Sequence, residues 1–519
     1  MVPFNLNGQQ YILVSSSGEG LHLVLVDNQG GLSARDAVGD TVAKGNAIDT
    51  AQYVDKDGIT RVLALWRGTS ASGQGVQTFA LAANHQINHS PLDTITAITD
   101  VRLNEPQALD VYSPSAGKTY AVVVGGISSP QSNVVVINVT DPRNIAITDS
   151  IKDSDSSSYK LQQPTDVAIY TVGTKHYAVV VSNNESSLTI LDITDPMDIS
   201  VVGSITDDGN TLMRYALKVD VFSIGNKYYA VTAPNTIHED GIQIIDISTP
   251  SAPTAVGKLD KASNNRYRNY TNLATHTYND NVYVLLTAER DRNAVTIIDV
   301  TDPNNPVEKA WVHEPTNRSD AKLRGAHVVN TYVHTINGNE RHFAVVGSLG
   351  HTQDTSNHGI QLLELVFLTA DAGPDQTRTY GQTVMLNGSA SSVTDPSKTF
   401  SYAWTQTGSP TVNLTGANTA SPTFTAPNQD ATLTFTLTVT LPASQGVVKT
   451  GAVDNAGTFT TTDTVTIRVS AVPNQPPTAN AGADKTVTPG STVTLSGSGT
   501  DPDGNDACLL YTSPSPRDS

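Results

Sequence analysis

Cysteine is nearly absent: Cys508 is the single one in 519 residues. One thiol excludes an internal disulfide framework and any cysteine-built metal site. Charge is sparse as well, at 15% of residues against about 25% in an average soluble domain. Thr, Ser, Asn and Gly supply the polarity instead. That balance suits short strands joined by polar turns better than long helices. No apolar run reaches the roughly 18 residues of a membrane-spanning helix. Met1–Gln10 carry neither the basic stretch nor the apolar stretch of a signal peptide. The charges that are present leave a net −18. A surface this acidic repels nucleic acid and anionic lipid, so neither is an expected partner.

What the chain does have is self-similarity. An apolar run closing on Asp, a small turn and Pro recurs as VVVINVTDP (Val134–Pro142), LTILDITDP (Leu188–Pro196), IQIIDISTP (Ile242–Pro250) and VTIIDVTDP (Val295–Pro303). Fainter copies are LHLVLVDNQ (Leu21–Gln29), VQTFALAAN (Val76–Asn84) and IQLLELVF (Ile360–Phe367), which makes seven. A shorter apolar run precedes each copy, such as YAVVV at Tyr120–Val124 and Tyr177–Val181. A third element lies before that run, and a fourth follows the Pro, as in ISVVGSI at Ile199–Ile205. Each unit therefore reads as four short strands, a to d, with β-branched interiors and Asp, Pro, Gly and Asn at the turns. Several strands are apolar at nearly every position, as expected of sheets covered on both faces. Seven such units predict an all-β, seven-bladed β-propeller over residues 1–368.

The segments TILDITDP and QIIDISTPSAP resemble the LVIVD repeat, and the resemblance extends over about Val2–Phe367. LVIVD repeats occur in bacterial and archaeal proteins that are often exported or surface-attached. The resemblance implies a propeller and no particular reaction. The seventh copy stops at its third strand, so the last blade is expected to lack its outer strand, with residues missing upstream of Met1.

From Ala370 the composition shifts to Thr, Ser and Ala with strict alternation, plainest at Leu433, Phe435, Leu437 and Val439. The stretches DAGPDQ (Asp371–Gln376) and YAWTQ (Tyr402–Gln406) resemble a PKD-type, Ig-like domain, and Trp404 is its expected buried aromatic. This domain is expected at 369–470, with an insertion around Ser444–Gly457. A Pro-rich linker follows at 471–477. A second PKD-like domain begins at 478–507 and is cut off after about two strands. Residues Cys508–Asp518 read CLLYTSPSPRD, which resembles a translated sequencing adapter, so 508–519 are set aside from the fold.

Chemistry is thin. No nucleophile elbow, zinc-protease helix, phosphate-binding loop or dinucleotide fingerprint occurs. Aligning the a-strands gives one polar column: Asp49, Asp110, Asp166, Lys218, His276 and His327. Because a-strands line a propeller's channel, this column is the candidate binding ring. Its Asp and His suit a divalent cation or a cationic ligand, while Lys218 places a fixed positive charge among them. The competing expectation is that these side chains hydrogen-bond neighbouring loops. No cofactor is implied. His313, His334, His342, His351 and His358 cluster late without metal-ligand spacing. The TDP aspartates Asp141, Asp195 and Asp302 read as turn formers. DPDGND (Asp501–Asp506) lacks the Gly and Glu of an EF-hand loop.

The expected role is a secreted or cell-surface binding or adhesion protein that presents a propeller on PKD-like stalks. Its ligand is a protein or a carbohydrate outside the cell, and the chain has no catalysis of its own. The alternative is an accessory region of a larger exported hydrolase, chitinase- or protease-like.

Overall fold

A computed structural model describes the chain except for residues 17–19, 28–30, 39–45, 83–84, 98, 127–132, 235–240, 261–269, 289–293, 314–325, 337, 349–358, 443–447, 450–453, 456–458, 472–474 and 503–519. It contains strands and three short 3-10 turns, with no α-helix among the described residues. Two compact units result. The first is Met1–Leu368 with Val393–Phe400 and Thr440–Thr460, and the second comprises Thr369–Ser392, Ser401–Val439 and Thr461–Ser519.

The first unit is a seven-bladed propeller. Seven antiparallel sheets follow in chain order, the first five built wholly from consecutive strands running from the axis outwards. Their innermost strands are Val2–Leu6, Asn46–Val54, Pro106–Ser115, Pro164–Val172, Ala216–Ile224, Tyr270–Tyr278 and Ala326–Ile336. Val2–Leu6 touches both Asn46–Val54 and Ala326–Ile336, which closes the ring.

The near-continuous apolar runs follow from this geometry. Successive side chains of a strand face opposite sides of its sheet, and every sheet is sandwiched between two neighbours. In Lys118–Gly125, Val122 and Val124 pack towards the fourth blade, whereas Ala121 and Val123 pack towards the second. Each junction between blades encloses one such cluster; the junction of blades seven and one buries Met1, Ile12, Val24, Tyr332, Phe343 and Val345.

The repeat signature is a hydrogen-bonded latch. In the fourth blade, Asp192 accepts the Thr194 N–H at 3.0 Å, and the Thr194 hydroxyl oxygen accepts the His176 N–H of the adjacent strand at 3.0 Å. Asp195 then caps the turn by accepting the Met197 N–H at 2.9 Å. The same latch recurs as Thr119 N–H to Thr140 Oγ1, Tyr228 N–H to Ser248 Oγ and Val282 N–H to Thr301 Oγ1. These caps occupy the TDP carboxylates as turn formers, through Arg143 N–H on Asp141 and Asn304 N–H on Asp302.

The Pro of one latch also seats against the d-strand of the preceding blade. A Cβ on Gly257 would lie 2.1 Å from the Pro303 carbonyl oxygen, and one on Gly203 would lie 2.3 Å from that of Pro250. Earlier blades use a side chain for the same join. Asp93 accepts the Ile145 N–H, and Asp149 accepts the Ile199 N–H, both at 2.8 Å.

One expectation is corrected. The seventh blade has four strands, not three: Val448–Lys449 pairs antiparallel with Gly359–Leu365. Asp454–Asn455 adds a fifth strand to the sixth blade through Val312 and His313. Both stretches lie in the insertion that lengthens the later domain's sequence. A bare sheet edge leaves N–H and C=O groups without strand partners, and this segment satisfies the two outermost edges near closure. Two residues per strand are too few for periodicity to reveal.

The second unit is an Ig-like sandwich. Gln376–Thr379, Phe459–Ser470, Ala431–Leu441 and Ser401–Thr407 form one sheet in that order, and Thr383–Met385 pairs with Thr423–Thr425. Leu433, Phe435, Leu437 and Val439 are fully buried. Trp404 is buried beside them, its indole N–H donating to the Thr419 carbonyl at 3.1 Å. Further on, Thr478–Asn480 pairs with Ser498–Thr500, and residues 475–500 are exposed throughout. This start of a second domain has no core of its own.

Gly257→Ala forces the fifth and sixth blades apart. It is expected to lower the unfolding free energy by about 2 kcal/mol, read by chemical denaturation; an unchanged midpoint contradicts the close approach. Pro at both Val448 and Lys449 is expected to speed amide exchange along Gly359–Leu365, with unaltered exchange as the opposing result.

Candidate functional site

The strand register decides which a-strand residues share a level. Each of six a-strands carries an irregularity near its start, and most carry an aromatic residue further along: Tyr53, Tyr112, Tyr170, Phe222 and Tyr332. Counted from these landmarks, Asp49, Asp166 and Lys218 occupy one level, in register with Leu65, Val181 and Ala233. Asp110 sits two residues further along, opposite Val122, at the same level as Asp220 opposite Val231.

The two histidines leave the ring. His276 stands opposite Tyr283 in the aromatic position. It is buried against Phe367, and its Nε2 lies 2.9 Å from Nδ1 of His342. Burial, with His342 alongside, pushes His276 down to about 4. His342 is likewise lowered by burial. His327 falls one residue before the Asp49 level, within the strand irregularity. Among the described residues, no group of three or more His, Cys, Asp or Glu side chains is arranged to hold a metal ion. Residues 351–358, with His351 and His358, lie outside the described residues, as does the end of DPDGND.

Alignment by sequence misses Asp220, Asn272 and Asn330, and these complete a different pattern. Asp49 accepts the N–H of Leu109 in the next blade at 2.9 Å. Asp110 accepts that of Ile169 at 2.9 Å, and Asp166 that of Val219 at 3.0 Å. Asp220 accepts from both the N–H and the hydroxyl of Thr275, at 2.8 and 2.9 Å. Asn272 accepts the Val329 N–H at 3.4 Å, and Asn330 donates its amide to the Met1 carbonyl at 2.9 Å. The chain of braces runs from the second blade round to the first. Even blades use the earlier level and odd blades the later one. In even blades Ala51, Ala168 and Ala274 fill the alternate position, which places alanines beside Asp110 and Asp220 at the later level. Aligning on the aromatic position, rather than on Asp, exposes this alternation.

The channel is electrostatically tense. Burial pushes Asp110 up to about 7 against the N–H groups of Val111 and Ile169, and Asp220 and Asp49 add to the rise. Burial lifts Asp166 to about 6, restrained by Lys218, whose ammonium stands 3.4 Å away. Asp220 is raised by burial too. Burial would lower Lys218, but Asp166 and Asp49 outweigh it and hold the ammonium above its ordinary value. Every one of these carboxylates accepts a backbone N–H from the adjacent blade, so the arrangement braces blades.

Two family models match segments of the chain. Residues 372–469 match a family model of the PKD domain, and residues 237–261 match that of the LVIVD repeat. No curated protein matches the chain. Among solved structures, a protein from Lactobacillus plantarum is similar at 13% identity, covering 69% of this chain and 92% of its own, with a TM-score of 0.45. The periplasmic gluconolactonase of Pseudomonas aeruginosa is similar at 10% identity, covering 67% and 94%, with a TM-score of 0.42. The PKD domain from KIAA 1837 protein is similar at 29% identity over 21% of this chain and 92% of its own, with a TM-score of 0.15. None of these likenesses assigns a substrate or partner to this chain.

Folded Asp110 keeps its proton up to about 7, whereas the unfolded chain releases it near 3.8. Its contribution to stability is therefore full in acid and is lost as pH rises across that window. Between pH 5 and pH 8, Asp110→Asn should lose about 2 kcal/mol less unfolding free energy than the wild type. Parallel pH profiles in denaturant titrations contradict the raised carboxyl.

Proposed function

We infer that the chain is a binding module of the cell exterior, which displays a propeller alongside PKD-type domains. The observation that carries this reading is the use of the channel's acidic side chains. Asp49, Asp110, Asp166 and Asp220 are each held by backbone N–H groups of the neighbouring blade. Each of these carboxylates commits acceptor sites to locking one blade to the next, so its first role is structural. What remains for recognition is the propeller's surface of loops, on a scaffold whose rigidity comes from the braces.

Composition supports an exterior setting. The sequence before the terminal string has no cysteine to oxidise, and the surface is acidic and polar. A matched PKD-type domain beside a repeat propeller is an architecture for presenting and contacting rather than converting. Adhesion to a protein or carbohydrate partner is the role proposed.

Protease shaving of intact source cells tests the location. The propeller is expected to be clipped and released while a cytoplasmic marker survives. Protection of the propeller until the cells are lysed contradicts the reading.

A further inference from the structure

Backbone strain is concentrated in one place on the propeller. Nine described non-glycine residues have positive φ. Asn7, Asn279 and Asp280 sit in tight hairpins and are of the types that tolerate this conformation. Four others, Lys160, Gln163, Ser186 and Tyr215, have φ of 54, 56, 51 and 52°. They converge at the mouth of the fourth blade. For Lys, Gln and Tyr the left-handed region is disfavoured, and such strain persists only where surrounding contacts over-determine it.

Those contacts are present. The Lys160 carbonyl accepts the hydroxyls of Ser187 and Thr189, each at 3.0 Å. The Gln163 carbonyl accepts the Asn183 N–H at 3.0 Å. Tyr215 donates its N–H to Ser186 Oγ at 3.0 Å, and its carbonyl accepts the Asn183 side-chain amide at 3.2 Å. The turn Asn183–Ser186 is thereby clamped between the two flanking connections.

This network fixes a distinctive set of side chains. Tyr215 is 38% exposed, and the Arg214 guanidinium lies 5.5 Å from its ring centroid. Asn184 is exposed and donates to Gln162 Oε1. Glu185 accepts the Gln162 N–H at 3.1 Å through Oε2, while Oε1 lies 3.6 Å from the Lys160 ammonium. Asp207 joins through its N–H on the Ser186 carbonyl, with Asp208 beside it. The charges nearly cancel: Lys160 and Arg214 against Glu185, Asp207 and Asp208.

We propose that this patch binds a pyranose ring of an uncharged glycan. An exposed tyrosine offers a flat apolar face for the C–H side of a sugar. The amides of Gln162 and Asn184 and the Glu185 carboxylate supply hydrogen-bond donors and acceptors for sugar hydroxyls. Near-neutrality favours a hydroxyl-rich ligand over a phosphate or an acidic peptide, and the clamped backbone holds the set in place before binding. The proposal deepens the binding-module reading and rests on it.

The test presents the purified chain to a printed array of neutral and acidic oligosaccharides and then titrates the best neutral one. Tyr215→Gly removes the ring while relieving the positive φ, so the fold is expected to remain intact. That variant and Glu185→Gln should each weaken binding by about tenfold or more, whereas Tyr215→Phe should stay within about threefold. Absence of binding to every neutral glycan overturns the proposal, as does binding to acidic glycans alone. Glycan binding that both Tyr215→Gly and Glu185→Gln leave unchanged overturns this site yet leaves the binding-module reading standing.

Discussion

A side chain on the innermost strand of one blade, accepting a backbone N–H from the innermost strand of the next, is the contact on which the propeller depends. Blades are separate sheets with no backbone ladder between them, and apolar packing alone does not set their register along the axis. A carboxylate aimed at one particular N–H does. Asp110 fixes the third blade against Ile169 of the fourth, and Asp220 fixes the fifth against Thr275 of the sixth. Removing such an acceptor leaves a shielded N–H without its partner, which costs more than the bond itself contributes. Burial in the channel raises the carboxyls of Asp110, Asp166 and Asp220 although the bracing N–H groups pull the other way, and Lys218 offsets part of the rise at Asp166.

A second layer of contacts works at the outer rim. The TDP latch ties two strands within a blade and offers its Pro carbonyl to the preceding one. That neighbour answers with Asp93 or Asp149 in the second and third blades and with Gly203 or Gly257 in the fourth and fifth. One sequence motif thus serves as hairpin end, turn cap and joint between blades. This accounts for its persistence where the surrounding residues vary among copies.

The fold is largely legible in the sequence, and the site is not. Repeats such as LTILDITDP encode strand length, turn and latch together, so blade number and strand order can be read directly. The alternation at Leu433–Val439 reveals the sandwich in the same way. The channel resists such reading because its polar residues occupy two levels, which a single column merges. His276 joins that column by residue type rather than by register, and it fills an aromatic position beside His342 and Phe367. The strand irregularity near Asp49, Asp166 and Lys218 shifts the count by one residue, and no composition signal marks it. The fourth strand of the last blade escapes for another reason. It comes from about 80 residues downstream of its neighbour and is two residues long, beyond any local pattern.

Chemical denaturation of Asp220→Ala measures most directly whether the channel acids hold the blades together. That carboxylate accepts two bonds from Thr275 and one from Val221. The braces predict a loss of about 2 kcal/mol or more in the unfolding of the propeller. Unchanged stability, or a gain from relieved repulsion among the acids, would contradict them.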